Sequence, residues 1–314
     1  MRWRASAISA MALLAAGLSA LAFFDALGWQ IDLLAQFRLQ MLLGAAALLV
    51  VLLALRRWWG SAAAAIALAL NLYAIGDVPV VAFTAGEVQL RVAAFNMLGD
   101  DRNIDDVVAW LRQEQFDVVS FEELTPAFAA QLGALADLYP YRVAMPRKGG
   151  FGIGLIARRP FLTQDILFAD SPGRRVLRVS VDVDGTPVEI VAVHPPPPLS
   201  AAFSREHDTT LDSLAALPAN PHRIVMGDFN AAPTSGALRR LMAAQGLREA
   251  SRWPRLTWPS DLPWPLRLPI DHVLVGNGLA LLRVENGPAL GSDHFPQVAA
   301  IDVVKNPRKS ATSP

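Results

Sequence analysis

The sequence contains no cysteine, which removes disulfides, thiolate metal sites and thiol nucleophiles from consideration and leaves the compartment open. Nor is there a surplus of either charge, since 28 basic residues face 28 acidic ones. Five of the basic and three of the acidic residues lie within the first 83 positions, so the remainder carries 23 against 25. A protein that grips nucleic acid through its phosphates usually displays a basic stripe that releases counterions. None is legible here, and nucleic acid is not the favoured partner. No internal repeat is present, which sets repeat architectures aside.

Charge is also missing locally, in three runs near the start. Residues 5–24 form 20 positions without a charge, residues 39–55 a further 17, and residues 61–76 another 16. A membrane span needs about 20 apolar residues, with roughly 17 as the lower end. The first two runs qualify, and the third does so with Asp77 at the interface and residues 78–83 extending its edge. The first could instead be a secretory signal behind Arg2 and Arg4. The second and third could be a pair of buried core helices, although both are apolar all round. Arg2 and Arg4 precede the first run, and Arg56 and Arg57 separate the second from the third. The positive-inside rule puts both basic sites in the cytoplasm and the 25–38 loop outside. The Trp58-Trp59 pair suits an aromatic anchor at the interface. The expectation is a membrane region over 1–83 with three transmembrane helices, its partner the lipid bilayer. Everything after it is then extracytoplasmic, on a multi-pass protein of a bacterial-type inner (cell) membrane.

From residue 84 the pattern changes. Residues 88–95, 117–121, 152–157, 176–183, 188–194, 223–226, 270–275, 280–284 and 297–303 read as strands, with a turn at Asp184-Gly185. Residues 104–113, 125–138 and 205–217 read as helices, the second opened by Thr125-Pro126. Strands outnumber helices, and hairpins mix with crossovers, which predicts an α/β sandwich of two mixed sheets covered by helices. One domain over 84–305 is expected, followed by a flexible tail at 306–314. The stretch 253–269, rich in Pro and Trp, reads as a surface loop near the site.

Polar residues collect at strand ends: Asn96 after Phe95; Glu122-Glu123 after Phe121; His194 after Val193; Gly227-Asp228-Phe229-Asn230 after Met226; Asp271-His272 after Ile270; and Ser292-Asp293-His294. Side chains so placed project from rigid edges into a shared cleft. This ordered set, spread over about residues 88–303, resembles the endonuclease/exonuclease/phosphatase superfamily of DNase I-like proteins. Its landmarks are an Asn after the first strand, a Gln-Glu or similar pair, Gly-Asp-x-Asn, and a terminal Ser-Asp-His. Individually these motifs are short and weak; in order they are specific.

The resemblance implies a four-layer α/β sandwich (DNase I-like) and a metal-dependent phosphoric ester hydrolase. Carboxylates and an amide, with no thiol, suit a hard cation such as Mg²⁺ or Mn²⁺. Glu123 matches the principal metal carboxylate, with Asn96 and Asp293 completing or approaching the shell. Asp228 would orient or deprotonate the attacking water, Asn230 hold a phosphate oxygen, and His294 contact the scissile phosphate with Asp271 fixing its tautomer. His194 matches a His used near the phosphate or leaving group. Glu-Glu replaces the usual Gln-Glu, so either carboxylate could be the ligand. Blander roles remain: Glu123 as a helix-start residue, Asn96 and the Asp228–Asn230 pair as turn formers, and His194 as a structural cap before four prolines. His272 alternates to the other strand face and reads as structural. His207 and His222 read as ordinary surface or packing residues, and Arg147-Lys148 either as a second phosphate site or as a solvated turn.

The whole layout resembles VanJ-like membrane proteins, whose relatives are associated with glycopeptide resistance and with dephosphorylating a polyprenyl pyrophosphate carrier. That implies a lipid-linked phosphate or pyrophosphate as substrate, with Trp253, Trp258 and Trp264 against lipid or packed inside. The alternatives are an extracytoplasmic nuclease, a sphingomyelinase or phospholipase C-like phosphodiesterase, and a noncatalytic scaffold. The intact acid, amide and His set argues against the last.

Overall fold

A computed structural model describes residues 2–81, 86–99, 103–250 and 255–304. The expected tail and Trp253 lie outside them. Helices α1 (Arg2–Leu21), α2 (Trp29–Ala35), α3 (Arg38–Ala54) and α4 (Trp58–Gly76) come first. Next are β1 (Leu90–Asn96), α5 (Ile104–Glu114), β2 (Val118–Glu122), α6 (Pro126–Gln131), β3 (Tyr141–Met145), β4 (Ile153–Ala157), β5 (Phe161–Leu167) and β6 (Val176–Val183). Then β7 (Thr186–Val193), α7 (Ala201–Ala215), β8 (Arg223–Asp228), α8 (Gly236–Gln245), β9 (Asp271–Val275), β10 (Leu279–Asn286) and β11 (Gln297–Val303) complete the set.

The strands form two mixed sheets, ordered β10-β11-β1-β2-β4-β3 and β5-β6-β7-β8-β9. Period-2 alternation assigns each strand two faces. On β1, Val92 and Ala94 join the core between the sheets, while Ala93 and Phe95 meet Val107, Trp110 and Leu111 of α5. On β7, Ile190 and Ala192 face inward, while Val191 and Val193 meet Leu211 of α7 and Leu238 of α8. The central strands are therefore apolar on both faces, as strands covered on both sides must be. Four layers result, helix on sheet on sheet on helix.

Sequence reasoning missed β3, β5 and α8 and misjudged some ends. Helix α7 starts at Ala201 rather than 205 because the Ser200 hydroxyl accepts from Phe203 N at 3.2 Å, an N-cap. Helix α8 is bounded by an N-cap at Ser235 and a left-handed Gly246, signals that were legible. The helix expected over 125–138 is α6 followed by a 3₁₀ turn, Leu132–Leu135.

All three uncharged runs are helical. Among the described residues one helix, Trp58–Gly76, is long and apolar enough to cross a membrane. The pair α2 and α3, bent by 63°, supplies a second if taken as one span, and Ser6–Leu21 is a shorter apolar helix. Helices α1, α3 and α4 pack through Leu52 and the small residues Ala12, Ala63 and Ala64, which allow close approach. At Gly60 a Cβ would stand 2.8 Å from the Ser9 hydroxyl, so only glycine fits without movement. Arg38 is buried at the start of α3. Its guanidinium donates to Ser19 O at 2.7 Å and to Asn71 Oδ1 at 3.2 Å, while Asn71 Nδ2 donates to the Ser19 hydroxyl at 2.8 Å.

This bundle is seated on the sandwich. Thr234 Oγ1 donates to Ala35 O at 2.6 Å, Gly236 N donates to Asp32 Oδ1 at 2.7 Å, and Ala232 N donates to Gln36 Oε1. Gln40 Nε2 donates to Arg267 O at 2.8 Å, Arg239 pairs with Asp77 at 2.6 Å, and Leu256 packs with Leu39, Leu42 and Ile75. Those contacts lie at one end of the bundle, and Arg56 and Arg57, past the far end of α3, at the other.

Candidate active site

Topology brings the polar residues together. Strands β1 and β2 are parallel and end at Asn96 and Glu122; antiparallel β11 begins beside them, just after Asp293 and His294. In the other sheet β7 and β8 are parallel and end at Val193 and Asp228, and antiparallel β9 begins at Asp271, directly opposite Asp228. An antiparallel neighbour starts where a strand stops, so six separated motifs share one edge of the sandwich.

Gly227 is required there: its φ is +135°, and a Cβ would stand 2.2 Å from Val193 O and 2.9 Å from a Glu122 carboxylate oxygen. Glu123 and Asn230 adopt left-handed backbone at φ 56° and 49°, a conformation that non-glycine residues hold mainly where the surroundings impose it. For Asn230 the surroundings are visible. His207 Nε2 donates to Phe229 O at 3.1 Å and His272 Nε2 to Ala231 O at 2.8 Å, so two buried imidazoles grip the carbonyls on either side. His272 is structural, as its strand face predicted, and His207 is a packing residue with the same task.

Every sequence-predicted site residue reaches the cluster. Asn96 Nδ2 donates to Asp228 Oδ2 at 2.9 Å and to Glu123 Oε1 at 3.3 Å, while its Oδ1 accepts from Leu98 N at 2.9 Å. His294 Nδ1 donates to Asp271 Oδ2 at 2.9 Å, and its Nε2 stands 3.9 Å from both Asp228 Oδ2 and Asp293 Oδ1. His194 Nε2 is 3.6 Å from Asp228 Oδ2, beyond a hydrogen bond. Asn230 N donates to Asp228 Oδ1 at 2.8 Å, and Asn230 Nδ2 donates to Pro195 O at 3.0 Å. Glu122 and Glu123 diverge: Glu123 lines the cleft, and Glu122 is wholly buried beneath it. Arg147 and Lys148 are exposed outside the cleft wall, and Gly150 is part of it.

Burial sets the charge states. For His294, burial alone would lower the imidazole, but the Asp271 and Asp228 carboxylates raise it to about 10, so it is a cation at neutral pH. His194 is pushed down to about 4 by burial and by the His294 charge, so it is neutral. Burial, reinforced by the Asp271 charge, raises Asp228 above the usual carboxylate range. Burial raises Glu122 well above the usual carboxylate range and also raises Glu123.

The donor set fits a hard cation. Asp293 Oδ1 is buried without a hydrogen-bond partner. Gly99 and Gly150 flank the Glu123 carboxylate closely, since a Cβ at either would touch Oε2, at 3.4 or 3.8 Å. Among the described residues, Asp228, Asp271 and His294 also offer ligand atoms within 4.8 Å of one another. Magnesium and manganese favour oxygen donors, and the His294 Nδ1 is already held by Asp271. The oxygen-rich group around Glu123 is therefore the better match.

The cluster forms the floor of a cleft of about 620 Å³. Its walls hold residues that sequence reasoning passed over: Leu33 of α2, Phe37 just past its end, Phe151, and Phe203 of α7. Trp258 was singled out, and it belongs to this wall, with Nε1 donating to Asp293 Oδ2 at 2.8 Å. Trp264 is 57% exposed.

A model of the Endonuclease/Exonuclease/phosphatase family matches residues 93–294. No curated protein matches the sequence. Solved structures share the fold at low identity. TDP2 from D. rerio, complexed with single strand DNA product, is 19% identical with a TM-score of 0.54, over 68% of this chain and 99% of that one. The 3′ phosphatase NExo from Neisseria, bound to product DNA hairpin, gives 19%, 0.54, 68% and 99%. Sphingomyelinase C from Streptomyces griseocarneus gives 18%, 0.50, 67% and 98%. In each the similarity covers the two-sheet sandwich, a DNase I-like α/β fold.

Proposed function

Because this chain belongs to the endonuclease/exonuclease/phosphatase family, we propose that it is a divalent-metal-dependent phosphoester hydrolase acting outside the cytoplasm on a lipid-linked phosphate or pyrophosphate. One observation carries the lipid reading: the wall of the catalytic cleft includes Leu33, Gln36 and Phe37, from the segment joining two apolar helices. An active site built against that segment sits where a phosphate at a bilayer surface would arrive. The near-neutral catalytic region, without a basic groove, favours it over a nuclease. The three apolar runs serve as membrane helices of a multi-pass inner-membrane protein. The arginines at their far end support an outward catalytic domain under the positive-inside rule. This layout resembles that of the VanJ-like branch.

Glu123, with Asp293, would hold the Mg²⁺ or Mn²⁺, while Asn96, expected as a further ligand, turns its Nδ2–H to Glu123 and Asp228 and so orients those carboxylates. A cation there would supply charge neutralisation for the phosphate and activation of water. Asp228, more basic than an ordinary carboxylate, orients the attacking water and takes its proton. The His294 cation, held by Asp271, donates through Nε2 to a phosphate oxygen, where negative charge grows as the bond breaks. Asn230 keeps one amide N–H free of Pro195 for a second phosphate oxygen. Neutral His194 lies beside Asp228, suited to the leaving oxygen.

Detergent-solubilised protein with Mg²⁺ should release phosphate from a polyprenyl pyrophosphate and leave sphingomyelin and plasmid DNA intact. Nicked DNA with untouched lipids would overturn the lipid reading and favour a nuclease. Cleavage of sphingomyelin alone would favour a phosphodiesterase. A C-terminal alkaline phosphatase fusion should be active and a C-terminal green fluorescent fusion dark; the reverse pattern would overturn the orientation.

A further inference from the structure

The segment between the first two long apolar helices is more than a connection. Leu33 and Phe37, four positions apart, enter the same cleft that has Asp228 and His294 on its floor. Pro198, Leu199 and Phe203 line the same cleft. Phe37, Leu199 and Phe203 are 44%, 69% and 40% exposed. Large apolar side chains left open beside a polar floor mark a binding surface for something apolar.

The segment is also fixed in place. Asp32, Ala35 and Gln36 bond to Gly236, Thr234 and Ala232, in the stretch that follows Asn230. The Asp32 carboxylate sits at the N-terminus of α8, where the helix dipole favours it. The wall is thereby tied to the loop carrying two of the catalytic residues.

We propose that α2 and the α2–α3 bend are the specificity-determining wall of this site, with Leu33 and Phe37 seating the first carbons of a hydrocarbon chain whose phosphate lies against His294. This rests on the lipid-phosphate reading above and adds which residues select the chain. The occupant is aliphatic because the continuous cleft runs from the phosphate-facing groups to the apolar side chains of Leu33, Phe37, Leu199 and Phe203, with Gln36 between the first two tied through its Oε1 to Ala232 N.

The test uses the full-length protein in detergent with Mg²⁺ and alkyl monophosphates of increasing chain length. Wild type should show kcat/KM rising with chain length. In Leu33→Asn/Phe37→Asn the rise should flatten by roughly tenfold or more, as expected when a few methylene contacts are lost. A variant that keeps the full preference overturns the inference while leaving the lipid reading intact. Wild type that shows no chain-length preference, or cleaves only DNA, overturns both. Independently of how the variant folds, a photoreactive alkyl phosphate should label wild-type residues 29–37; labelling only elsewhere overturns the proposal.

Discussion

The Asp271 carboxylate receives the Nδ1–H of His294 at 2.9 Å, and Asp271 also lies opposite Asp228 in the β8–β9 ladder. One side chain thus orients the cationic imidazole and loads negative charge beside the proposed base. Asp271→Asn should lower kcat by roughly 10²–10⁴-fold, the usual worth of a positioned acid or base, with little change in KM. Steady-state kinetics and a melting curve close to wild type would check this.

The two neighbouring glutamates should separate cleanly. Glu122 is wholly buried, off the cleft wall, so Glu122→Gln keeps its shape and should stay within a few-fold of wild-type activity. Glu123→Gln should lose at least about 100-fold and need more Mg²⁺, as loss of a metal carboxylate predicts. Titrating the rate with Mg²⁺ distinguishes them.

Glu122 also predicts a pH effect on stability. Its folded pKa lies above the ordinary 4.5, so its contribution is most favourable below about 4.5 and is lost as pH rises through the folded value. Glu122→Gln should therefore melt higher than wild type at pH 7, and the gap should close on acidification towards pH 4.5. Calorimetry at a series of pH values measures it.

His272 runs in the same sense with the opposite charge. Burial would lower its pKa, but Glu249, at 2.5 Å from Nδ1, and the Ala231 carbonyl raise it. Its stabilisation is complete below about 6.5, the ordinary imidazole value, and fades as pH rises through the folded value. The melting advantage of wild type over His272→Asn should be larger at pH 6 than at pH 9. Because His272 holds a carbonyl next to Asn230, the variant should also lose activity at pH 6.

Within the helical region, Asn71 links Arg38 to Ser19. Asn71→Ala should cost about 1–2 kcal/mol, in the range of polar contacts between packed apolar helices, seen as a lower melting temperature in detergent.

Much of the site was legible in the sequence because its chemistry sits at strand ends. Asn96, Asp228 and His294 each follow or precede an apolar strand, and strand ends on one edge must converge once the sheet order is set. Which of Glu122 and Glu123 faces the cleft was not legible. A left-handed φ at Glu123 breaks the alternation that would have assigned the faces. The wall from Leu33 to Phe37 was hidden for another reason: its apolar residues look like the margins of neighbouring uncharged runs. Only the long-range bonds of Asp32 and Gln36 to residues some 200 positions later reveal where the segment docks. Strands β3 and β5 escaped notice because each lies at the edge of its sheet, where exposed residues dilute the apolar pattern.

The docking of α2 beside Asn230 also bears on how the two-sheet domain would behave without the helical region. A soluble fragment beginning after α4 would retain every catalytic group and the complete two-sheet sandwich, yet one side of its cleft would be open and the apolar face under Leu256 bare. Under the lipid-phosphate proposal, loss of the helical region would turn a discriminating enzyme into a less selective and stickier one. A truncated domain therefore provides an assay for the chemistry and a poor guide to the natural substrate.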